Sequence, residues 1–412
     1  MRFEALSAPL LLTLAWRNLW RHTRRTVMIL FAFALGVWSM VVVAALSRGS
    51  MEQQLDNAIL SLTGHVQLHA PVYRDDPVIE HHMPPADAAL REVLADPGVT
   101  AWASRVRVPA VVSSERESAG VTLVGIDPVR ERGLSFIPDA VTEGRYLQGD
   151  DDSGVLLGRK LAERLETGLG RRVVIMSQDV NNQVGDRGFR VVGIFDTQPQ
   201  QTEEAYVFVG RATAQRMLKM GEDVSEIAVM TGDRDHLGPL LARLRAAAPG
   251  LDIEPWTVVE PLLTLTQKIT DVILLIWYVI VFAAMSFGLI NTLLMAVFER
   301  TREFGMFQAL GMPPRHILGQ VLVESLILLG LALLLGNLSA WATIHSLEGG
   351  IDLSAVAEGM EMMGVAPVLY PAWSGNDLLV ANLVVIVLGL AASLYPAWRA
   401  SRQVPIEAIT RA

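Results

Sequence analysis

The sequence lacks several features that mark common classes of protein. It contains no cysteine, which excludes disulfides, thiolate metal sites and cysteine nucleophiles. It contains no GxxxxGK[ST] phosphate-binding loop, no HExxH zinc motif and no GxSxG nucleophile turn, so its residues predict no P-loop ATPase, metalloprotease or serine hydrolase. Its 43 acidic residues are spread along the chain and outnumber the 34 Lys and Arg, which leaves no basic footprint for nucleic acid.

The chain is instead rich in long apolar runs. Hydrophobic residues make up 51% of its 412 residues, too large a share for an ordinary soluble enzyme. A stretch of roughly 20 apolar residues is long enough to cross a bilayer about 30 Å thick. We predict four transmembrane helices, at residues 26–47, 272–298, 317–343 and 378–398.

The first apolar run follows a basic flank, as the apolar region of a cleaved signal peptide does. That region is normally about 7–15 residues long. The run here is longer, so we predict an uncleaved anchor. In residues 1–25, Leu12, Trp16 and Leu19 share one helical face and arginines take the other. This pattern predicts a cytoplasmic amphipathic helix in the lipid headgroup plane, the alternative being a disordered basic flank.

The distribution of arginine predicts the orientation in the membrane. Five arginines precede the first span and three lie in the loop 299–316, whereas the loop 344–377 holds no lysine or arginine. Positively charged flanks are retained on the cytoplasmic side. Both termini, including the tail 399–412, and the loop 299–316 are therefore expected in the cytoplasm of a bacterial inner-membrane protein. The segment 48–271 and the loop 344–377 are expected outside.

The long outer segment alternates strand-like and helix-like runs. Its strands are predicted at 64–69, 105–112, 121–126, 172–177, 189–196, 205–209 and 226–230. Its helices are predicted at 156–165, 212–219 and 237–248. We therefore predict an α-helical membrane protein with four transmembrane helices plus a large α+β extracytoplasmic domain between helices 1 and 2. A lobe boundary within that domain is expected near residues 144–153.

Apolar residues continue at helical spacing beyond two of the predicted spans. This pattern predicts that both helices project outward as a stalk, the alternative being amphipathic helices that lie on the outer domain. The stalk residues are Met51, Leu55, Ile59 and Leu62 after the first span and Leu262, Leu265 and Ile269 before the second. Gly64 is expected to cap the first of these helices.

Two groups of ionisable residues are candidates for other chemistry. Glu324 lies inside the third predicted span, where a carboxylate is costly and often functional. A proton relay needs polar companions in other spans, and asparagines alone offer polarity there, so we predict a structural polar contact. His65, His69, His81 and His82 lie close in sequence outside the membrane. Without a second ligand cluster they predict solvated or packed histidines rather than a metal site.

The loop between the second and third spans carries the most informative motif. Residues 298–312 read FERTREFGMFQALGM, and the following Pro313 and Pro314 predict one short helix with a firm end. The run resembles the E-R-x-R-E-[IF]-G-x-x-[KRQ]-A-L-G signature of the FtsX/MacB/LolCE permease family, the type VII ABC transporters. The tail YPAWRASRQVPIEAI at 395–409 and the segment LAWRNL at 14–19 are also similar to that family.

The resemblance implies a permease subunit without its own ATPase activity. A separate ABC ATPase subunit would bind ATP and Mg²⁺, and no cofactor is expected in this chain. The loop helix would dock on that ATPase through Glu299, Arg300, Arg302, Glu303, Phe304, Gly305, Met306, Phe307, Leu310 and Gly311. The other implied partners are a second permease subunit in a homodimer or heterodimer, membrane lipid and a periplasmic adaptor or chaperone.

The family also implies mechanotransmission, in which ATP hydrolysis in the partner changes the shape of the outer domain. The expected outcome is lipoprotein release or efflux of a periplasmic or membrane substrate. The alternative function is a membrane-anchored ligand-binding sensor or a regulator of envelope enzymes. A sensor needs a cytoplasmic output domain, and the predicted cytoplasmic pieces are short.

Overall fold

The computed structural model describes residues 8–197, 200–310, 312–352 and 368–402. Two compact units divide the chain. One, the membrane unit, comprises Met1–Met51, Gln267–Asp352 and Val368–Ala412. The other, the outer domain, is built from Glu52–Thr266 and also takes in Leu353–Pro367, which lies outside the described residues.

The helices fall into a long apolar set and a short set. In chain order they are Ala8–Leu19 (α1), Thr23–Ala58 (α2), Ala88–Leu94 (α3), Ile137–Ala140 (α4), Arg159–Arg164 (α5), Gln200–Ala205 (α6), Arg211–Leu218 (α7), Gly238–Ala247 (α8), Trp256–Val259 (α9), Pro261–Glu299 (α10), Thr301–Ala309 (α11), Pro314–Ser346 (α12) and Gly375–Ser401 (α13). A 3₁₀ turn at Trp20–His22 separates α1 from α2. A wide π-helical turn, Ile59–Thr63, follows α2.

Within the described ranges, four helices are long and apolar enough to cross a membrane: α2, α10, α12 and α13. Each predicted span lies within one of them. Their shared core contains Phe33, Tyr278, Leu329 and Val385, each at most 1% exposed. Gly336 allows α12 to approach α2 closely, because a Cβ there would lie 2.6 Å from the Cβ of Val37. Small residues of this kind let membrane helices pack backbone to backbone.

An ion-pair cluster joins three of these helices. Arg48 on α2 donates from Nε to Asp377 Oδ2 on α13 at 2.6 Å and from Nη2 to Asp271 Oδ1 on α10 at 2.5 Å. A guanidinium can satisfy two carboxylates at once through its fixed fork of donors. The cluster therefore holds α2, α10 and α13 in register. Between α12 and α13, Ile351–Asp352 (β11) pairs antiparallel with Val368–Leu369 (β12).

The outer domain is built on one sheet. Its strands are Val66–His69 (β1), Val99–Ser113 (β2), Ser118–Ile126 (β3), Val141–Gly144 (β4), Gly154–Gly158 (β5), Arg172–Gln178 (β6), Val184–Phe195 (β7), Tyr206–Gly210 (β8), Glu226–Thr231 (β9) and Asp252–Pro255 (β10). The order is β10-β1-β9-β2-β3-β8-β5-β7-β4, and β6 pairs with both β2 and β7. The pairs β3–β8 and β5–β7 are parallel and the remaining pairs are antiparallel. The α+β prediction is confirmed.

Two large apolar clusters fill the outer domain. One packs α3 and α8 against β1 and β9, and the other packs α5 and α7 against β5, β6 and β7. Ile79 belongs to the second cluster although Tyr73 and Met83, on either side of it in the chain, belong to the first. The lobe boundary expected near 144–153 stays a prediction. Each predicted strand overlaps an observed one. The predicted helix 156–165 begins instead as β5, because Leu156 and Leu157 are completely buried between β7 and β8.

The junction of α2 with the outer domain departs from regular geometry. Leu62 has a φ of 101°, which is rare for a residue with a branched side chain. Gly64, with a φ of 67°, caps the turn by donating its N–H to the Ile59 carbonyl at 2.9 Å, as predicted. The buried guanidinium of Arg105 donates to the Leu62 carbonyl at 2.5 Å and so holds the strained turn.

Candidate functional site

The loop helix α11 is bounded by sharp changes in the backbone. Arg300, at φ −105° and ψ 13°, breaks the helical path after α10, and the chain re-enters a helix at Thr301. At the other end Pro313 is extended, with a ψ of 145°, and Pro314 begins α12. A residue before proline is pushed out of the helical region, and proline is favoured in the first turn. Gly311 lies outside the described residues.

One face of α11 is buried in the chain itself. Phe304 is 1% exposed and packs with Val297, Ile317, Val321 and Ala397 in one apolar cluster. Gly305 is also buried, and Phe307 is half-buried against the same cluster. These side chains anchor α11 to α10, α12 and α13. The sequence interpretation made Phe304 an anchor for a partner, but its side chain is already committed to its own core.

The opposite face of α11 is open to solvent. Arg302, Met306, Ala309 and Leu310 are exposed. Met306 is 50% exposed and Leu310 is 65% exposed. Positions three, four, seven and eight apart line one side of a helix, so these residues form one continuous surface. We call this surface, defined by Arg302, Met306, Ala309 and Leu310, the outer face of α11.

Arg300 and Glu324 form an ion pair at the base of α11. The Nη1 of Arg300 donates to Glu324 Oε1 at 2.9 Å, and the guanidinium lies 4.9 Å from the ring centroid of Phe304. The same carboxylate oxygen accepts from Asn18 Nδ2 at 2.7 Å and Gln320 Nε2 at 3.4 Å. A carboxylate this buried is tolerated when it is paired and hydrogen-bonded. Glu324 therefore ties α1, the start of α11 and α12 together.

The basic N-terminal segment is paired to the same loop. Arg21 donates to Glu303 Oε1 at 2.5 Å, and Arg25 lies 3.4 Å from Glu299 Oε2. Burial tends to raise the pKa of Glu303, but the hydrogen bonds from Arg21 and Arg300 outweigh it and hold that pKa below its usual value. Glu299, Arg300 and Glu303 thus form ion pairs within the chain. Arg302 forms none among the described residues.

The predicted stalk residues divide into two groups. Both helices extend beyond the predicted spans, since α2 runs to Ala58 and α10 begins at Pro261. After the first span the row is buried: Met51, Leu55, Ile59 and Leu62 are 4%, 2%, 3% and 1% exposed. Before the second span the row is open: Leu262, Leu265 and Ile269 are 74%, 52% and 49% exposed. Leu55 and Ile59 pack into the core of the outer domain.

A buried charge network in the outer domain was not anticipated from sequence. Arg105 is 0% exposed and donates to Glu131 through Nε at 2.7 Å and Nη2 at 2.9 Å. Its Nη1 donates to Glu226 at 3.2 Å. Burial opposes the charge of Glu226, but Arg107 and Arg105 together hold its pKa below the usual value. Arg105 lies in a strand-like run of the sequence. A charged residue among β-branched neighbours was the signal that could have predicted a buried ion pair there.

The histidines predicted to bind no metal are dispersed among other contacts. His82 Nδ1 lies 2.7 Å from Asp223, and the Nδ1 of His65 contacts Thr231 Oγ1 at 3.0 Å. Within the part of the chain that the structure describes, no group of three or more His, Asp or Glu side chains is placed to hold a metal ion.

Two family profiles match most of the chain. The MacB-like periplasmic core domain matches residues 26–247, and the FtsX-like permease C-terminal domain matches residues 275–405. The first match begins inside α2 and covers most of the outer domain. The second covers α11 together with the helices on either side of it.

Individual relatives are similar over much of their length. The lipoprotein-releasing system transmembrane protein LolC of Neisseria meningitidis is 22% identical over 313 residues, which cover 73% of this chain and 72% of the relative. The pyoverdine export ATP-binding/permease protein PvdT of Pseudomonas syringae pv. tomato is 23% identical over 96% of this chain, but only 58% of the relative is covered. The crystal structure of the periplasmic region of MacB from Actinobacillus actinomycetemcomitans aligns with 53% of this chain and 97% of its own, at 15% identity and a TM-score of 0.35.

Proposed function

Because the chain belongs to the FtsX/MacB/LolC-type ABC transporter permeases, a family of multi-pass membrane subunits, we propose that it transmits ATP-driven motion from a separate ATPase subunit to its outer domain. The motion would release or expel a substrate at the outer side of the membrane, and the chain itself would perform no catalysis. Family membership favours this role over a membrane-anchored sensor.

The outer face of α11 carries the proposal. It combines one cation, Arg302, with the exposed side chains of Met306 and Leu310. Interfaces are commonly built from such a pairing of apolar anchors and Arg. We therefore narrow the ATPase-docking surface to Arg302, Met306, Ala309 and Leu310. Phe304, Phe307, Arg300 and Glu303 support α11 from behind.

The support behind α11 suits the transmission of movement. Phe304 fixes the helix in the apolar cluster with Ile317 of α12 and Ala397 of α13, and the Arg300–Glu324 pair fixes the residue just before its start. A helix held at both its face and its start moves with the elements to which it is attached. Closure of an ATPase beneath α11 would thus displace α10 and α12 rather than deform the loop.

The orientation proposed is that both termini and α11 lie in the cytoplasm, in a bacterial inner membrane. The arginine asymmetry supports it. The absence of native cysteine provides a direct test with an impermeant thiol reagent in intact cells. Single cysteines at Ser113 and Glu348 should be labelled, whereas one at Arg302 should be labelled only after the membrane is opened. Labelling of the Arg302 position in intact cells would reverse the orientation.

The substrate class is proposed from the relatives. LolC proteins are described as components of a lipoprotein-releasing system and PvdT as a pyoverdine exporter. We propose lipoprotein release or efflux of a substrate from the membrane or from outside the cytoplasm. A second permease subunit, identical or related, is expected to cover the exposed row of α10 at Leu262, Leu265 and Ile269.

The docking proposal is tested by Met306→Asp and Leu310→Asp. A charge placed in a desolvated contact costs several kcal/mol unless it is paired, so the ATPase should be lost during purification of the complex. Val184→Asp is the matched control, because Val184 is 77% exposed on the outer domain and far from α11 in sequence. It should retain the ATPase. Retention of the ATPase and normal transport by both α11 variants would reject this docking surface.

A further inference from the structure

The outer domain holds a polar cavity of about 270 Å³. Strands β1, β2, β3 and β9 line it, together with Val259 and Glu260 just before α10. Its volume approaches the lower limit of about 300 Å³ that is usual for small-molecule sites. Gln67, whose side chain reaches the Leu62 carbonyl at 3.4 Å, also lines the cavity. The cavity is thus next to the end of α2 and the beginning of α10.

Two residues of the lining, His69 and Glu226, belong to a cross-strand row of ionisable residues. His69 on β1 pairs in register with Glu226 on β9, and Glu226 pairs with Arg105 on β2. The cavity is lined by two cations and two carboxylates, Arg74, Arg107, Glu226 and Glu260. A ligand therefore meets fixed charges whose sum does not favour a plain anion or a plain cation.

One buried acceptor in the cavity wall lacks a donor. Glu226 Oε2 has no hydrogen-bond partner among the described residues, although Glu226 is 0% exposed. Buried polar atoms are nearly always satisfied, so an unmet acceptor on a cavity wall indicates a missing donor.

Two cations, Arg74 and Arg107, also line the cavity. Arg107 donates from Nη2 to the Tyr206 hydroxyl at 3.1 Å, and its Nη1 remains 3.7 Å from Glu226, beyond hydrogen-bond distance. Arg74 is exposed and has no ion pair among the described residues. The loop that presents Arg74 is strained, because Val72 has a φ of 75°. Strain in a β-branched residue persists where its surroundings impose it, often beside a binding site.

We propose that this cavity binds a free α-amino acid. Its carboxylate would bind Arg74 and Arg107, and its ammonium would donate to Glu226 Oε2. The ligand needs both charges, because the lining offers two guanidinium groups as well as a carboxylate oxygen without a donor. This site is separate from the outer face of α11, so its failure would leave the docking proposal unaffected.

The position of the cavity gives the ligand a route to influence the transporter. Glu260 accepts a hydrogen bond from Thr63 Oγ1 at 3.2 Å and directly precedes α10. A ligand bound beside Gln67 and Glu260 contacts residues at the end of α2 and the beginning of α10. It would stabilise the arrangement in which it binds, by mass action.

The test uses the purified full-length chain in lipid nanodiscs and isothermal titration calorimetry with the twenty common L-amino acids. At least one should bind, and its N-acetyl and carboxamide derivatives should bind at least about tenfold more weakly, since each lacks one charge. Arg74→Ala should weaken binding by about tenfold or more. Arg172→Ala, an exposed arginine outside the cavity, is the matched control and should leave binding unchanged.

Three results would overturn the proposal. The first is that no amino acid binds at concentrations up to about 10 mM. A few charge-assisted hydrogen bonds are expected to give a dissociation constant below that concentration. The second is equal binding by a derivative that lacks one charge, which would indicate an anion or cation site. The third is binding unaffected by Arg74→Ala, which would place the ligand elsewhere. Arg74 is exposed, so the variant is expected to fold.

Discussion

The two helices that leave the predicted membrane core toward the outer domain carry the same apolar spacing and have opposite surroundings. On α2 the row at Leu55 and Ile59 is 2% and 3% exposed and belongs to the core of the outer domain. On α10 the row at Leu262 and Leu265 is 74% and 52% exposed. Helical periodicity shows which side of a helix is apolar and does not show what covers it. We infer that the apolar row of α2 packs within its own chain and that the apolar row of α10 contacts a partner subunit.

The end of α2 and the beginning of α10 also differ in how firmly local contacts hold them. The end of α2 is fixed by a strained turn at Leu62, a glycine cap at Gly64 and the guanidinium of Arg105. The beginning of α10 follows Glu260, whose described contacts are a side-chain hydrogen bond with Thr63 and backbone bonds to Trp256 and Thr264. An element that must move with nucleotide state is expected to have the weaker local restraints.

The largest effect is expected from removing the restraint on α2. Arg105→Ala leaves Glu131 and Glu226 buried without their partner and should destabilise the outer domain by about 3–5 kcal/mol. Denaturant unfolding of the purified chain measures the change. Arg116→Ala removes an exposed ion pair with Glu166 and is the control, with an expected cost below about 1 kcal/mol. Equal effects of the two substitutions would show that the buried network does not hold the domain.

The next largest effect on stability is expected from a Leu→Ala substitution in one of the two apolar rows, with the same substitution in the other row for comparison. Leu55→Ala on α2 opens a cavity in the outer-domain core and should cost about 2–5 kcal/mol. Leu265→Ala on α10 changes an exposed position and should cost within about 0.5 kcal/mol in the isolated subunit. Thermal unfolding and protease resistance of each variant give the measurement. The α10 variant should instead weaken the subunit pair, and a loss of stability equal to that of the α2 variant would end the distinction.

A smaller effect on the free energy of unfolding is expected from lowering the pH, through two histidines that follow α2 in the chain. Burial holds the pKa of His65 and of His69 below the ordinary value. The folded state therefore binds fewer protons than the unfolded state, whose histidines titrate near about 6.5. This contribution is fully present above about pH 6.5 and is lost as pH falls through the folded pKa values. Unfolding midpoints between about pH 8 and 5 should fall, and His69→Gln should flatten that decline. His236→Gln alters an exposed side chain and should not.

Much of the architecture could be predicted because its signals are local. Apolar length gave the four spans, and alternation gave the strands that form most of the outer sheet. The error at 156–165 has a physical cause. Leu156 and Leu157 are buried on both sides of β5, so the run does not alternate and looks like part of a helix. The short strands β4 and β10 were missed because their sequences, VTEG and DIEP, each contain a single apolar β-branched residue and so show no alternation.

The candidate site was predictable in position but not in orientation. The motif located α11, and nothing in it distinguished Phe304, which is buried, from Met306, which is exposed. That distinction depends on how α12 and α13 pack against the helix. The pairing of Arg105 with Glu131 and Glu226 joins residues far apart in sequence, which a single sequence does not connect.

Spin-label distances across the subunit pair test the mechanical role of α10. Labels at Gln267 of α10 in both subunits of the complex with its ATPase report the separation of the two α10 helices. Mechanical transmission predicts a separation that differs between the nucleotide-free and ATP-bound states. A second pair at Gln54 and Ser113 within one subunit should keep its distance, because α2 ends in the outer-domain core. An α10 separation that nucleotide leaves unchanged would contradict mechanical transmission.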